Sequence, residues 1–130
     1  MFELTKQFRF EAAHTLIRQV EAEASRRIHG HSYRAEIAIR GRPDPATGMV
    51  LDLGLFERAL EEVRHALDHR FLDEINDLGP ATLENLSYWI WNRLGAATAG
   101  LHRVTVYRDS AGESCSYFGP DTARAAFGES

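Results

Sequence analysis

The chain of 130 residues holds a single cysteine, Cys115, so no intramolecular disulfide can form and a thiolate-rich zinc module is excluded. No apolar run approaches the roughly 20 residues needed to span a bilayer, so no membrane partner is expected. An excess of basic charge is also missing. Fifteen Lys and Arg stand against nineteen Asp and Glu, a net charge of -4, the wrong sign for a protein that holds nucleic acid through its phosphates. Met1 to Lys6 alternates apolar and polar residues and reads as a strand rather than a signal peptide, so a cytoplasmic protein is expected. What is present is the ordinary mix of one domain, 44% hydrophobic and 26% charged in 14.7 kDa, large enough for a core without disulfides. Six histidines beside one cysteine mean that any transition-metal site here rests on imidazole, with or without carboxylate.

Phe2, Leu4, Phe8, Phe10 and Ala12 share one parity and Glu3, Thr5, Gln7, Arg9 and Glu11 the other, the period of a half-buried strand that His14 continues on the apolar side. A second alternating run starts at Ile28 and places His29, His31, Tyr33, Ala35, Ile37 and Ile39 on one face. Residues 16–27 between them read as a surface loop with at most a helical turn. Met49 to Asp52 reads as a short extended piece that ends in a helix N-cap. The helix after it buries Leu55, Phe56, Ala59, Leu60, Val63, Ala66 and Leu67 and ends near Asp68. A second helix starts at the N-cap Thr82 and stops at Gly95, with Trp89 and Trp91 as packing residues. Strands at His102–Tyr107 and Ser114–Phe118 flank an Asp109–Gly112 turn. The expected architecture is α+β: a four-stranded antiparallel sheet with two helices on one face, in a single domain over residues 1–119, followed by a frayed tail over 120–130.

Strand parity aims His29 and His31 the same way, and His14 can approach from the neighbouring strand. Three imidazoles converging on one point suit a catalytic zinc with an open position; the alternative is three hydrogen-bonded interior histidines. Gly30 either admits a close backbone approach or relieves crowding. His65 and His69 have the i, i+4 spacing of a helical metal face, but the helix ends between them. Asp68-His69 reads equally as a coupled acid/base pair or as a favourable helix C-terminus. Glu84 and Asn85 suit the helix N-terminus, and Arg26 and Arg27 suit either a phosphate or a solvated loop. Ser25 stands in no Ser-His-Asp or Gly-x-Ser-x-Gly context.

Five blocks in order, Phe10-Glu-Ala-Ala-His14, His29-Gly-His31, Gly48-Met-Val-Leu-Asp52, Leu67-Asp-His69-Arg-Phe-Leu72 and Pro80-Ala-Thr-Leu-Glu-Asn85 with Trp89-Ile-Trp91, resemble the 6-pyruvoyltetrahydropterin synthase family. Within it they resemble the 6-carboxytetrahydropterin synthases of the queuosine pathway. The resemblance implies the tunnelling fold, in which three subunits close their sheets into a barrel and two trimers stack into a hexamer with active sites between subunits. It implies Zn2+ on His14, His29 and His31, and proton transfer by Asp68 and His69. It also implies a pterin substrate, 7,8-dihydroneopterin triphosphate, from which triphosphate is eliminated to give a 6-carboxy- or 6-pyruvoyl-tetrahydropterin.

Two positions depart from the family pattern. The family places its catalytic cysteine four residues before the first histidine of His-Gly-His, and Ser25 stands there. Its pterin-anchoring glutamate aligns with Arg108 when counted along the strand and with Asp109 when counted back from Tyr117. Arg108 cannot accept hydrogen bonds from a pterin, whereas Asp109 or Glu113 can, with Arg27 as a further substrate contact. These departures leave two further readings open. One is a diverged paralogue that cleaves another pterin's side chain; the other is an inactive, zinc-stabilised pterin-binding oligomer.

Overall fold

The two alternating runs form long strands, β1 (Phe2–His14) and β2 (His29–Gly41), that pair antiparallel along their whole length. The computed structural model describes residues 1–95 and 98–120. β1 and β2 are joined by a short helix, α1 (Ala22–Arg26). The chain continues through α2 (Leu53–Leu67), β3 (Arg70–Phe71), α3 (Leu83–Leu94), β4 (Leu101–Arg108) and β5 (Glu113–Tyr117). The sheet order is β3-β1-β2-β4-β5.

Both long helices start where a side chain can cap them. The Asp52 carboxylate accepts from the Gly54 amide at 2.8 Å, and the Thr82 hydroxyl accepts from the Asn85 amide at 3.1 Å, each satisfying a backbone donor with no partner inside its helix. Phe56, Leu60, Val63 and Leu67 of α2 and Leu86, Trp89, Ile90 and Leu94 of α3 are buried in one cluster with Phe8, Phe10, Tyr33, Ile37, Val104 and Val106 of the sheet. Each fully buried aliphatic or phenyl side chain in that cluster contributes roughly 1.5–3 kcal/mol. The opposite parity forms a polar face on which ion pairs replace apolar packing: Arg34 grips Asp109 through two bonds of 3.0 Å, and Arg103 reaches Glu36 at 3.0 Å.

The α+β class and the four antiparallel strands are as the sequence predicts, but the sheet has a fifth member. β3 pairs parallel with Ala12 and Ala13, clipped in place by the Asp68 carboxylate on the Glu11 amide at 2.9 Å and by the His69 amide on the Glu11 carbonyl at 2.6 Å. A two-residue strand carries no alternation to read. The loop expected over 16–27 contains α1 and buries Ser25. Within Met49 to Asp52, expected as a short extended piece, Val50 and Leu51 form a bend while Asp52 keeps extended backbone. The tail expected over 120–130 lies outside the described residues beyond Pro120.

Candidate metal centre

The β1–β2 register sets His14 directly opposite His29 and Ala12 opposite His31, so the three imidazoles lie together at one end of the hairpin on the helix-covered side of the sheet. Their ring centroids are 4.5, 4.8 and 4.9 Å apart, and one ligand nitrogen from each lies within 4.8 Å of the others. Gly30 between the last two is not demanded by the backbone: a Cβ there would meet nothing nearer than the Ala12 carbonyl oxygen at 3.6 Å, an ordinary contact.

Hydrogen bonding decides which nitrogen each ring presents. A carbonyl oxygen only accepts, so His14 Nδ1, 2.9 Å from the Ala81 oxygen, carries the proton and leaves Nε2 as the lone-pair atom. His29 Nδ1 donates likewise to the Arg27 oxygen at 2.8 Å. A guanidinium only donates, so His31 Nε2, 3.3 Å from Arg108 Nη1, is a lone-pair nitrogen too. His14 is 1% exposed, and its Nε2 is buried with no partner. Burial lowers the His14 pKa. Burial, followed by the charge of Arg108 and of the other two rings, pulls His31 down to about 4. Three imidazoles with oriented lone pairs, two of them steadied by backbone carbonyls, are what a divalent metal needs from its ligands. An orphaned buried nitrogen at their centre completes the fit, because a buried polar atom without a partner is costly.

Asp68 and His69 form the expected pair, with His69 Nδ1 2.9 Å from Asp68 Oδ2. Asp68 also accepts from the Glu11 amide and from Arg64 Nη2 at 3.1 Å. The Glu11 bond, followed by His69 and Arg64, holds its carboxyl below the usual range. His69 adopts φ 58°, a left-handed conformation uncommon for a residue with a side chain, and its side chain is 78% exposed. It lines a shallow groove with Glu11, Gly30 and Ser32. His65 stays exposed on α2, and the helix ends before His69, so these two do not form a metal face.

Beside the triad stand Arg108 and Glu113, which pair through two guanidinium nitrogens, Nε lying 2.9 Å from Glu113 Oε1. Asp109 is engaged by Arg34 on the polar face of the sheet. The Arg27 carbonyl orients His29, while its side chain is exposed and reaches Glu23 at 3.5 Å. Ser25 lies buried in α1, four residues before His29. Two participants escape sequence reading. Ala81 offers only a backbone carbonyl, which no residue type signals. Tyr33 looks like a core residue by parity, yet its hydroxyl is buried without a partner two positions beyond His31.

Three inward imidazoles at the end of a hairpin in an α+β domain define a candidate tri-histidine metal centre. Residues 3–120 match the model of the family described as 6-pyruvoyl tetrahydropterin synthase, and the chain belongs to that family. It is similar to the 6-carboxy-5,6,7,8-tetrahydropterin synthase of Synechocystis sp., with 34% identity over 126 residues, 92% of this chain and 95% of that one. A 6-pyruvoyl tetrahydrobiopterin synthase of Poecilia reticulata is 40% identical over 74 residues, 53% of this chain and 50% of its own. The solved structure of Caenorhabditis elegans 6-pyruvoyl tetrahydropterin synthase superposes with a TM-score of 0.79 at 25% identity, covering 92% of this chain and 96% of that one.

Proposed function

We propose that this chain is a zinc-dependent carbon-oxygen lyase that takes 7,8-dihydroneopterin triphosphate to a 6-pyruvoyl-tetrahydropterin with loss of triphosphate, or to a 6-carboxy-tetrahydropterin with loss of triphosphate and of the two outer side-chain carbons. The observation that carries the proposal is the convergence of three imidazoles around the partnerless His14 Nε2, in a chain of this family. His14, His29 and His31 would hold the ion, and zinc bound there supplies Lewis acidity toward a hydroxylated side chain. Asp68 keeps the proton of His69 on Nδ1, which leaves Nε2 free to take a carbon-bound proton. Ser25 stands where the family's thiol would assist, and a hydroxyl is far harder to ionise than a thiol. Glu113, whose charge is steadied by Arg108 beside His31, is the carboxylate for gripping a pterin, with Arg27 as a further substrate contact, while Asp109 is held by Arg34 on the polar face of the sheet, away from the triad.

The exposure of His69 supports a site completed between subunits of a cytoplasmic homohexamer. Among the described residues β3 and β5 end the sheet with unpaired edges that neighbouring subunits would cover. Light scattering should return the mass of six 14.7 kDa chains. Among the described residues no helix is long and apolar enough to cross a membrane.

The test is a product assay: the zinc-loaded protein is incubated with dihydroneopterin triphosphate, and pterins and tripolyphosphate are followed by mass spectrometry. Release of tripolyphosphate with a reduced pterin is the expected result, and the mass of the pterin separates carboxy from pyruvoyl. Ser25 and Arg108 favour a second reading, an inactive zinc-stabilised pterin-binding oligomer, whereas a paralogue that cleaves another pterin's side chain is detected by the same assay with dihydroneopterin as substrate. Turnover of neither compound by protein carrying about one zinc per chain would leave the inactive pterin-binding oligomer.

A further inference from the structure

Arg108 extends from the end of β4 onto the metal-binding face, and its side chain is only 15% exposed. Glu113 takes the Nε and Nη2 edge of the guanidinium, which leaves Nη1 directed at His31 Nε2, its acceptor at 3.3 Å. That acceptor is the lone pair a metal requires from His31, and one lone pair cannot serve both. Metal loading therefore strips Arg108 Nη1 of its partner and adds positive charge beside it. A second donor lies close by. Tyr33 is 2% exposed, its ring is 5.8 Å from that of His31, and its hydroxyl has no partner. By continuation of the β2–β4 register, in which Arg34 faces Tyr107, Tyr33 falls opposite Arg108. Arg18 is near enough to favour the ionised form of Glu113, so the rim carries a further cation.

We propose that Arg108 Nη1 and the Tyr33 hydroxyl form an oxyanion subsite beside the triad, which holds a carboxylate or phosphate oxygen of a ligand that also reaches the metal. The inference rests on the tri-histidine reading and sharpens it: the ligand portion lying against β4 is anionic, where a glutamate at position 108 would select an amino group. The Nη1–H donors and a phenolic O–H match an oxyanion, and the guanidinium has no lone pair to offer a ring N–H.

Calorimetric titration of oxalate and of inorganic phosphate into the full-length protein, zinc-loaded and metal-free, tests the subsite, with zinc per chain measured on the same samples. The zinc-loaded protein should bind at least one anion. Arg108→Met should weaken it about 10- to 100-fold, Arg108→Lys less, and Tyr33→Phe about 2- to 10-fold, with zinc content unchanged. Tighter oxalate identifies a carboxylate ligand and tighter phosphate a phosphate ester. Unchanged affinity for both anions in Arg108→Met, or binding of neither anion, would overturn the subsite. If no zinc loads, the metal reading fails separately, and the metal-free titrations decide: anion binding lost in Arg108→Met supports the subsite, and its absence or indifference to that change rejects it.

Discussion

His14 Nδ1 donates to the carbonyl oxygen of Ala81 across 67 residues of sequence, at 2.9 Å. That single bond fixes the tautomer of the most deeply buried imidazole and turns its Nε2 toward His29 and His31. If the three rings hold metal, purified protein should carry about one zinc per chain by elemental analysis. His29→Ala should lower that affinity by at least about 100-fold, because two ligands seldom retain an ion that three hold.

His14→Ala should behave differently from His29→Ala. It removes the ligand and also opens space in a site that is 1% exposed, so the metal-free variant should lose about 1–3 kcal/mol in urea unfolding, whereas metal-free His29→Ala should stay close to the unaltered protein. Equal unfolding midpoints for the two metal-free variants would contradict the burial difference.

Asp68→Asn should lower turnover by about 100-fold or more, since an amide can donate to Nδ1 as well as accept from it and so no longer enforces the tautomer, and it lacks the charge that stabilises the imidazolium. The same change has a signature in stability. The folded pKa of Asp68 is depressed, so its stabilising contribution is present above the ordinary carboxylate value and is lost as pH falls through the depressed one. The gap in urea midpoint between the unaltered protein and Asp68→Asn should therefore be constant near neutrality and narrow only below about pH 4.

Ser25→Cys places a thiol in the buried turn of α1, four residues before His29. A rise in turnover of about tenfold or more, with an inflection in the rate against pH near the thiol's pKa, is expected if the site lacks only its thiolate. An unchanged rate would place the proton-transfer burden on Asp68 and His69 alone.

Tyr33→Phe should stabilise the metal-free fold by about 1 kcal/mol, seen as a thermal midpoint a few degrees higher, because the deleted hydroxyl is buried without a partner while the ring's stacking on Phe10 at 4.9 Å is kept. A loss of stability would mean that the hydroxyl has a bonding partner in solution.

The parity of Phe8, Phe10, Ala12 and His14 and of His29, His31 and Tyr33 was readable without coordinates. Side chains alternate with period two in any extended strand, so a shared parity is already a shared face. The helix starts at Asp52 and Thr82 were readable for the same local reason, since a capping side chain meets backbone only two or three residues away. The fifth strand was not, because Arg70 and Phe71 pair with β1 only through the Asp68 and His69 bonds to Glu11. The helical turn allowed within residues 16–27 is α1, but its bounds were not readable, because its five residues offer no apolar face to recognise.

The grouping of the three histidines, the helix-covered side of the sheet and the family all follow from residue order, through short-range periodicity and five ordered blocks. The tautomers of the imidazoles, the hold of Arg34 on Asp109 and the contact of Arg108 with His31 were decided by tertiary structure. Each depends on a donor and an acceptor brought together across 67, 75 and 77 residues, or across two for His29 with a carbonyl that no side chain announces. Hydrogen bonds are satisfied by whatever the packed chain delivers within about 3 Å, and that distance is a property of the fold and not of any local pattern.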